Sequence, residues 1–298
     1  MKKFILPIVF LGGWWLLCGC PQKPERTMVG VPQGEIISDA TGISFSLPLK
    51  NQRIISLAPS ITENIKILKS ENYLVGRTDF CKMPVSISSV GTIIDPSVEK
   101  IITLKPDLVF ATKEGNRPQS VEKLRELGVA VFVFGESNSW VDIKNNFLLC
   151  AKLLGKTAEA EIVIKTIENE LSQIRTSPDV PVRVLVQLNV TPLISAGRNT
   201  FVDDIITYAQ GYNIASESAL PWPVLSIEEV FRRNPEIIII SDMGNITAQA
   251  KQMWLDEKFA DISAVKNKKV YVMDSDLLCQ PTPVHFITAV RNLREHLK

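Results

Sequence analysis

Between Thr157 and Ser177 apolar residues recur at Ala160, Val163, Ile164, Ile167, Leu171 and Ile174, three or four positions apart, as on one face of a helix. The spacing predicts a single long amphipathic helix with Thr157 as its N-cap, Glu159 and Glu161 at the positive end of the dipole, and Ser177-Pro178 as its stop. About 20 residues at roughly 1.5 Å each would carry it about 30 Å, the width of a small domain.

The segments on either side of this helix align with each other without a gap. Ser97-Val98-Glu99-Lys100-Ile101-Ile102-Thr103-Leu104-Lys105-Pro106-Asp107-Leu108-Val109-Phe110 precedes it, and Ser226-Ile227-Glu228-Glu229-Val230-Phe231-Arg232-Arg233-Asn234-Pro235-Glu236-Ile237-Ile238-Ile239 follows it. Each reads as a capped short helix, a proline stop and a buried strand. Helix-Pro-strand units are common in α/β proteins, so coincidence is the alternative. Matching Ser, Glu, Pro and acidic positions in one register is more than the class requires, and it points to two similar lobes.

Continuous apolar runs predict further buried strands at Arg53–Ala58, Asp107–Ala111 and Val129–Phe134 in the first lobe. In the second they fall at Val182–Leu188, Glu236–Ser241 and Lys269–Met273, before a closing helix Phe286–Leu297. Strands alternating with helices predict parallel sheets, whose carboxyl edges collect ligands. Those edges should carry the loops Gly91–Asp95, Thr112–Asn116, Asn189–Asn199, Leu220–Pro223 and Asp274–Gln280. Ser60 and Glu63, after the strand at Arg53–Ala58, have the spacing of a capping box, and Ser226 with Glu229 has it again. The expected fold is thus α/β, two Rossmann-like lobes with parallel sheets joined by one long helix, the ligand cleft between them. Its boundaries are 35–155, a linking helix 156–178, and 179–298, with a hairpin turn at Asp39-Ala40-Thr41-Gly42 near the start.

The first 34 residues do not belong to that pattern. Lys2-Lys3, an apolar run Phe4–Leu17 and Leu17-Cys18-Gly19-Cys20 describe an export signal over 1–19, too short to span a bilayer comfortably; an uncleaved anchor is the alternative. Residues 20–34 are polar, contain proline and lack periodicity, as a tether would. Removing residues 1–19 takes two lysines and turns the formal net charge from +1 to −1, with no basic patch for nucleic acid. Cys81, Cys150 and Cys279 remain beyond Cys20. Cys150 lies in an apolar helical run as a small buried hydrophobe, and nothing selects a Cys81–Cys279 bond over three free thiols.

Catalytic signatures are missing. No phosphate-cradling glycine loop, nucleophile elbow or His-Glu-x-x-His occurs, and the two histidines, His285 and His296, are too few for a zinc receptor. Asp203-Asp204 reads as a helix first turn, and Asp276 as a cleft-lining acceptor. An exported enzyme on such a scaffold would need a nucleophile or base with a shifted pKa, and none is evident. No catalytic residue, metal ligand or cofactor is therefore assigned.

Taken together, Arg53–Glu63, Glu99–Phe110 and Pro221–Pro235 resemble the substrate-binding lipoproteins of ABC importers whose two lobes are joined by a rigid helix. That family carries cobalamin, haem or ferric siderophores, and Leu220-Pro221-Trp222-Pro223 before Ser226-x-Glu228 looks most like its cobalamin-binding branch. The resemblance implies an exported, monomeric protein anchored to the membrane by a lipid on Cys20, where the signal resembles a lipobox. It also implies that Glu99 and Glu228, one on each lobe, dock on an ABC permease dimer served by ATPase subunits. Independently, each of these glutamates opens a helix, where the dipole favours a carboxylate; two solvated capping glutamates are the plainer reading. By the same resemblance Trp222 and Phe80 are aromatic ligand contacts and Asp276 is a polar one. Ile93 and Thr112 stand where that branch has tryptophans, Ile194 where it has phenylalanine, and Gln280 where it has arginine. These departures leave open a ferric siderophore or another metal chelate as ligand, for which Arg77, Arg117 and Arg198 are the candidate cleft cations.

Overall fold

A computed structural model describes residues 34–49, 53–174, 181–242 and 244–298. The export signal, Cys20, the tether up to Gln33 and the Ser177-Pro178 stop lie outside the described residues. The described residues open with the expected hairpin: β1 (Ile36–Ser38) pairs antiparallel with β2 (Ser44–Ser46) across the Asp39–Gly42 turn.

The first lobe is a five-stranded parallel sheet in the order β5-β4-β3-β6-β7. In chain order it comprises β3 (Ile54–Ser56), α1 (Pro59–Ile67), β4 (Leu74–Arg77), β5 (Ser88–Ser89), α2 (Val98–Thr103), β6 (Leu108–Thr112), α3 (Pro118–Glu126), β7 (Val131–Phe134) and α4 (Trp140–Leu154). The strands β3, β6 and β7 are buried on both faces, which is why they read as unbroken apolar runs. The capping box expected at Ser60 and Glu63 does not form. Pro59 takes the first helical position with Ala58 as N-cap, no side chain caps the helix, and Glu63 bonds Lys66 instead.

Gly155, at φ +68°, ends α4, and α5 (Thr157–Ile174) starts two residues later. The N-cap is therefore not Thr157: the Lys156 carbonyl accepts the Ala160 N–H at 3.1 Å, so Thr157 is already inside the helix. The face predicted from the spacing is the buried one, through Ala160, Ile164, Ile167 and Leu171.

The second lobe repeats the first. It comprises β8 (Val182–Asn189), β9 (Ile194–Ser195), α6 (Phe201–Tyr208), β10 (Gly211–Asn213), α7 (Ile227–Arg233), β11 (Ile237–Asp242), α8 (Asn245–Trp254), α9 (Ser263–Lys266), β12 (Val270–Asp274), α10 (Ser275–Cys279) and α11 (Pro283–Leu297). Its sheet runs β10-β8-β11-β12, all parallel, and β9 adds antiparallel to β8, so this sheet is mixed. The two aligned segments superpose in detail: Ser97 caps α2 and Ser226 caps α7, the latter with the predicted Glu229 capping box. Both helices exit through a left-handed residue, Lys105 at φ +48° and Asn234 at φ +43°. The Arg53 Nε donates to the Lys105 carbonyl at 3.0 Å, and the Arg183 Nε to the Asn234 carbonyl at 2.9 Å. The Arg53 amide meets the Asp107 carboxylate at 3.0 Å, and the Arg183 amide meets Glu236 at 3.1 Å.

The long helix does not join the lobes alone. Residues Glu35–Lys298 form one compact unit, and one hydrophobic core runs from β3 and β6 through α4 and α5 into α6, α11 and β8. Trp140 on α4 stacks on Phe286 of α11 with ring centroids 5.0 Å apart, and its amide donates to Asp204 on α6 at 2.8 Å. Arg291 of α11 holds Glu170 of α5 by two bonds, at 2.6 and 2.8 Å. Among the described residues no helix is long and apolar enough to cross a membrane.

Candidate functional site

The site forms at the carboxyl edges of the two sheets, on loops that rigid strands hold in place. On the first lobe β4 leads into the loop that carries Phe80, which is 66% exposed. Cys81 beside it is buried and anchors the loop: the Thr62 hydroxyl donates to its sulfur at 3.0 Å, and the Thr78 hydroxyl lies 3.1 Å away. Val85 and Ile94 add exposed apolar surface on the same lobe. Ile93 is half-buried, and its carbonyl accepts the side-chain amide of buried Asn116 at 2.7 Å. Asn116 also reaches the Leu57 carbonyl at 3.1 Å and accepts the Thr112 N–H at 2.8 Å, tying the ends of β3 and β6 to the loop after β5. No sequence pattern marks Asn116; only its burial does.

The second lobe presents Leu220, Trp222 and Val224, which are 62%, 47% and 57% exposed, at alternate positions along one apolar ridge. Its position is set by Gly197. The Gly197 amide donates to the Pro221 carbonyl at 2.8 Å, the Ser195 amide donates to the Pro223 carbonyl at 3.0 Å, and a Cβ on Gly197 would stand 2.6 Å from the Leu220 carbonyl oxygen. Gly197→Ala must therefore displace the Trp222 ridge. The expected result is a fall of about 1–3 kcal/mol in unfolding free energy, read by urea denaturation. Ile194, half-buried on β9, bridges to Val224 at the foot of this ridge.

Asp274–Gln280, expected as a loop, is mostly helical: Asp274 caps α10 by accepting the Asp276 amide at 2.9 Å. That turn aims Asp276 at the first lobe. Its carboxylate binds the Lys82 ammonium across the cleft and accepts the Gln280 side-chain amide at 2.8 Å. The pair holds the Lys82 pKa above its ordinary value, chiefly through that hydrogen bond. Lys82 is the partner that sequence reasoning missed, being 194 residues away from Asp276. Of the three arginines considered as cleft cations, Arg77 turns back on its own loop, donating to the Thr78 carbonyl at 3.0 Å, while Arg117 and Arg198 are exposed.

Glu99 and Glu228 are exposed in the first turns of α2 and α7, at equivalent places in the two lobes. The three cysteines among the described residues are free thiols, and burial pushes the Cys150 thiol far above its ordinary pKa. Asp203 accepts the Asn213 side-chain amide at 2.8 Å, His285 meets the Gln280 carbonyl at 3.2 Å, and His296 stacks on Tyr271 at 3.9 Å. Each of these groups is engaged in holding the fold. Among the described residues no three His, Cys, Asp or Glu side chains converge as a metal site.

Exposed apolar side chains thus stand on the carboxyl-edge loops of both lobes, and the Lys82–Asp276 ion pair reaches from one lobe to the other. The chain is 28% identical over 256 residues to a vitamin B12-binding protein of Vibrio cholerae, a match covering 84% of this chain and 91% of that one. It is 25% identical to an ABC transporter substrate-binding lipoprotein of Bacillus subtilis, over 98% of this chain and 94% of the other. The crystal structure of the periplasmic vitamin B12-binding protein of Vibrio cholerae superposes with a TM-score of 0.68 at 27% identity, covering 84% of this chain and 98% of that one. Residues 54–277, which reach from β3 of the first lobe to α10 of the second, match the family described as periplasmic binding protein, and the chain belongs to that family.

Proposed function

We propose that this protein is the extracytoplasmic receptor of an ABC importer, held at the membrane by a lipid on Cys20, and that it captures cobalamin or a related corrinoid as a monomer. The observation that carries the reading is the pair of exposed apolar walls, Phe80 with Val85 and Ile94 on one lobe and Leu220, Trp222 and Val224 on the other. A soluble protein gains nothing by exposing such surfaces on both sides of a cleft unless something flat and apolar covers them. Aromatic rings supply that contact at low entropic cost. The similarity to vitamin B12-binding proteins supports a corrinoid among flat macrocycles. An anionic ferric chelate is less well served by Arg77, which is taken up by backbone carbonyls, and by Lys82, two residues from Phe80, which is neutralised by Asp276.

Ile93, Ile194 and Gln280 would then border the ligand, and Asp276 would accept from it once Lys82 is displaced. Glu99 and Glu228 would dock on the permease dimer, whose ATPase subunits drive release. Complementary charges in such a role set orientation and association rate more than affinity.

Fluorescence tests the ligand directly. In a soluble form starting at Pro21, Trp140 and Trp254 are buried and only Trp222 is exposed, so quenching by cyanocobalamin reports on the proposed wall. Trp222→Ala is expected to weaken binding at least about ten-fold in calorimetric titration, the usual cost of losing an aromatic anchor. Absence of any response to cyanocobalamin in the unsubstituted protein would refute the proposal.

A further inference from the structure

The floor of the cleft contains a hollow that neither apolar wall explains. It lies where the carboxyl ends of β6 and β7 meet the start of α1, is lined by Ser60, Asn64, Thr112, Ser137 and Asn146 set among apolar Ile61, Phe134 and Cys150, and is closed from the other lobe by Pro281. The room for a water-sized group is about 20 Å³, a little over what one water needs. Two features of its lining are unsatisfied. The first amides of an α-helix have no partner within the helix, and at α1 no side chain takes one. Asn64, one turn further along, is only 7% exposed, and its Oδ1 is buried without a hydrogen-bond partner. The neighbouring amide is already engaged: Asn146 Nδ2 donates to the Gly135 carbonyl at 3.1 Å and the Ser137 hydroxyl at 3.0 Å.

A buried polar atom left unpaired in the empty protein costs stability, and what would repay it is a ligand group able to donate. The amides of α1 ask for the opposite, an acceptor. A neutral group with both capacities meets both demands at once; a carboxylate accepts but cannot donate to Asn64. We propose that this hollow is a subsite for one primary amide or hydroxyl group on the rim of the ligand, recognised by Asn64 and the N-terminus of α1. The inference rests on the receptor reading above and narrows it, because the rim of a corrinoid carries primary amides whereas that of haem carries carboxylates. Thr112 leaves the space open at a position where a larger side chain would fill it.

The test uses the chain from Pro21 onward, which contains the whole compact unit, titrated calorimetrically with cyanocobalamin and with haemin. Asn64→Leu removes the acceptor while keeping the branching and the number of heavy atoms, and Asn64→Ala removes it while enlarging the hollow. Both are expected to weaken cyanocobalamin binding about ten-fold while changing haemin binding less than about two-fold, with the thermal midpoint of the empty Leu variant equal to or above that of the parent. Cyanocobalamin affinity within about two-fold of the parent in both variants would mean that the hollow holds only a water, overturning the subsite and leaving the receptor intact. Equal losses for both ligands would overturn the amide selectivity that defines it. Failure of the unsubstituted protein to bind cyanocobalamin would overturn both readings together.

Discussion

Reversing the two carboxylates proposed to meet the permease, Glu99→Arg together with Glu228→Arg, is expected to reduce ligand import by at least about 100-fold while leaving capture within about two-fold of normal. Placing like charges against a receptor built for carboxylates costs several kcal/mol, and each 1.4 kcal/mol is about ten-fold. Both side chains are exposed, and neither is part of the apolar walls, so ligand affinity has no reason to move. Some stability is lost as well, because arginine in a helix first turn opposes the dipole by roughly 0.3–1 kcal/mol per site. The paired change Glu99→Gln with Glu228→Gln separates the two effects: it removes attraction without adding repulsion and should give an intermediate import rate. Uptake by cells whose own receptor is deleted, alongside calorimetric titration of the purified variants, reads both quantities. Normal import by the double arginine variant would refute the docking role.

Asp39→Ala is expected to have the largest effect on stability, about 3–5 kcal/mol, the usual cost of breaking a buried ion pair by removing one partner. The Asp39 side chain is fully buried, bonded to Arg125, and accepts from the Thr41 amide at 2.8 Å, the Ile43 amide at 3.0 Å and the Val133 amide at 3.2 Å. It ties the N-terminal hairpin to β7, the edge strand of the first sheet, and the Ala40 amide adds a bond to the Val133 carbonyl at 2.8 Å. Burial alone would raise the carboxyl pKa, but the hydrogen bonds from Thr41, Ile43 and Val133 outweigh it and hold the pKa below its ordinary value. The sign follows. A group with a depressed folded pKa contributes stability that is present above its unfolded pKa of about 3.9 and is lost as pH falls through the folded value. Urea denaturation should therefore separate the variant from the parent by the full amount at pH 7, with the gap closing below about pH 3.9. A gap that does not change with pH would show that the cost comes from packing and not from the charge.

Much of this architecture was legible in the chain because repetition speaks twice. The gapless match of Ser97–Phe110 with Ser226–Ile239 pointed to two lobes before any strand was placed, and the buried strands β6 and β11 announced themselves as apolar runs. What stayed hidden was of three kinds. Strands β4 and β10, Leu-Val-Gly-Arg and Gly-Tyr-Asn, carry too little apolar pattern to read, being defined by their neighbours in the sheet. The loop-tying amides Asn116 and Asn213 are buried and satisfied, a condition that no local spacing signals. The third kind is proximity: Asp276 was legible as a cleft acceptor, but Lys82, which occupies it, is brought there only by the meeting of two lobes. Local rules misled where a proline intervened, since Pro59 displaced the start of α1 and left Ser60 inside the helix.

The stack of Trp140 on Phe286, the bond from the Trp140 amide to Asp204 and the Arg291–Glu170 fork join the lobes around the core they share. Such a frame leaves little freedom to clamp shut, so an empty molecule would offer its transporter nearly the same outline, and the same two acidic knobs, as a full one. Vacant copies would then compete with laden ones for a place on the permease, and surplus receptor should slow uptake.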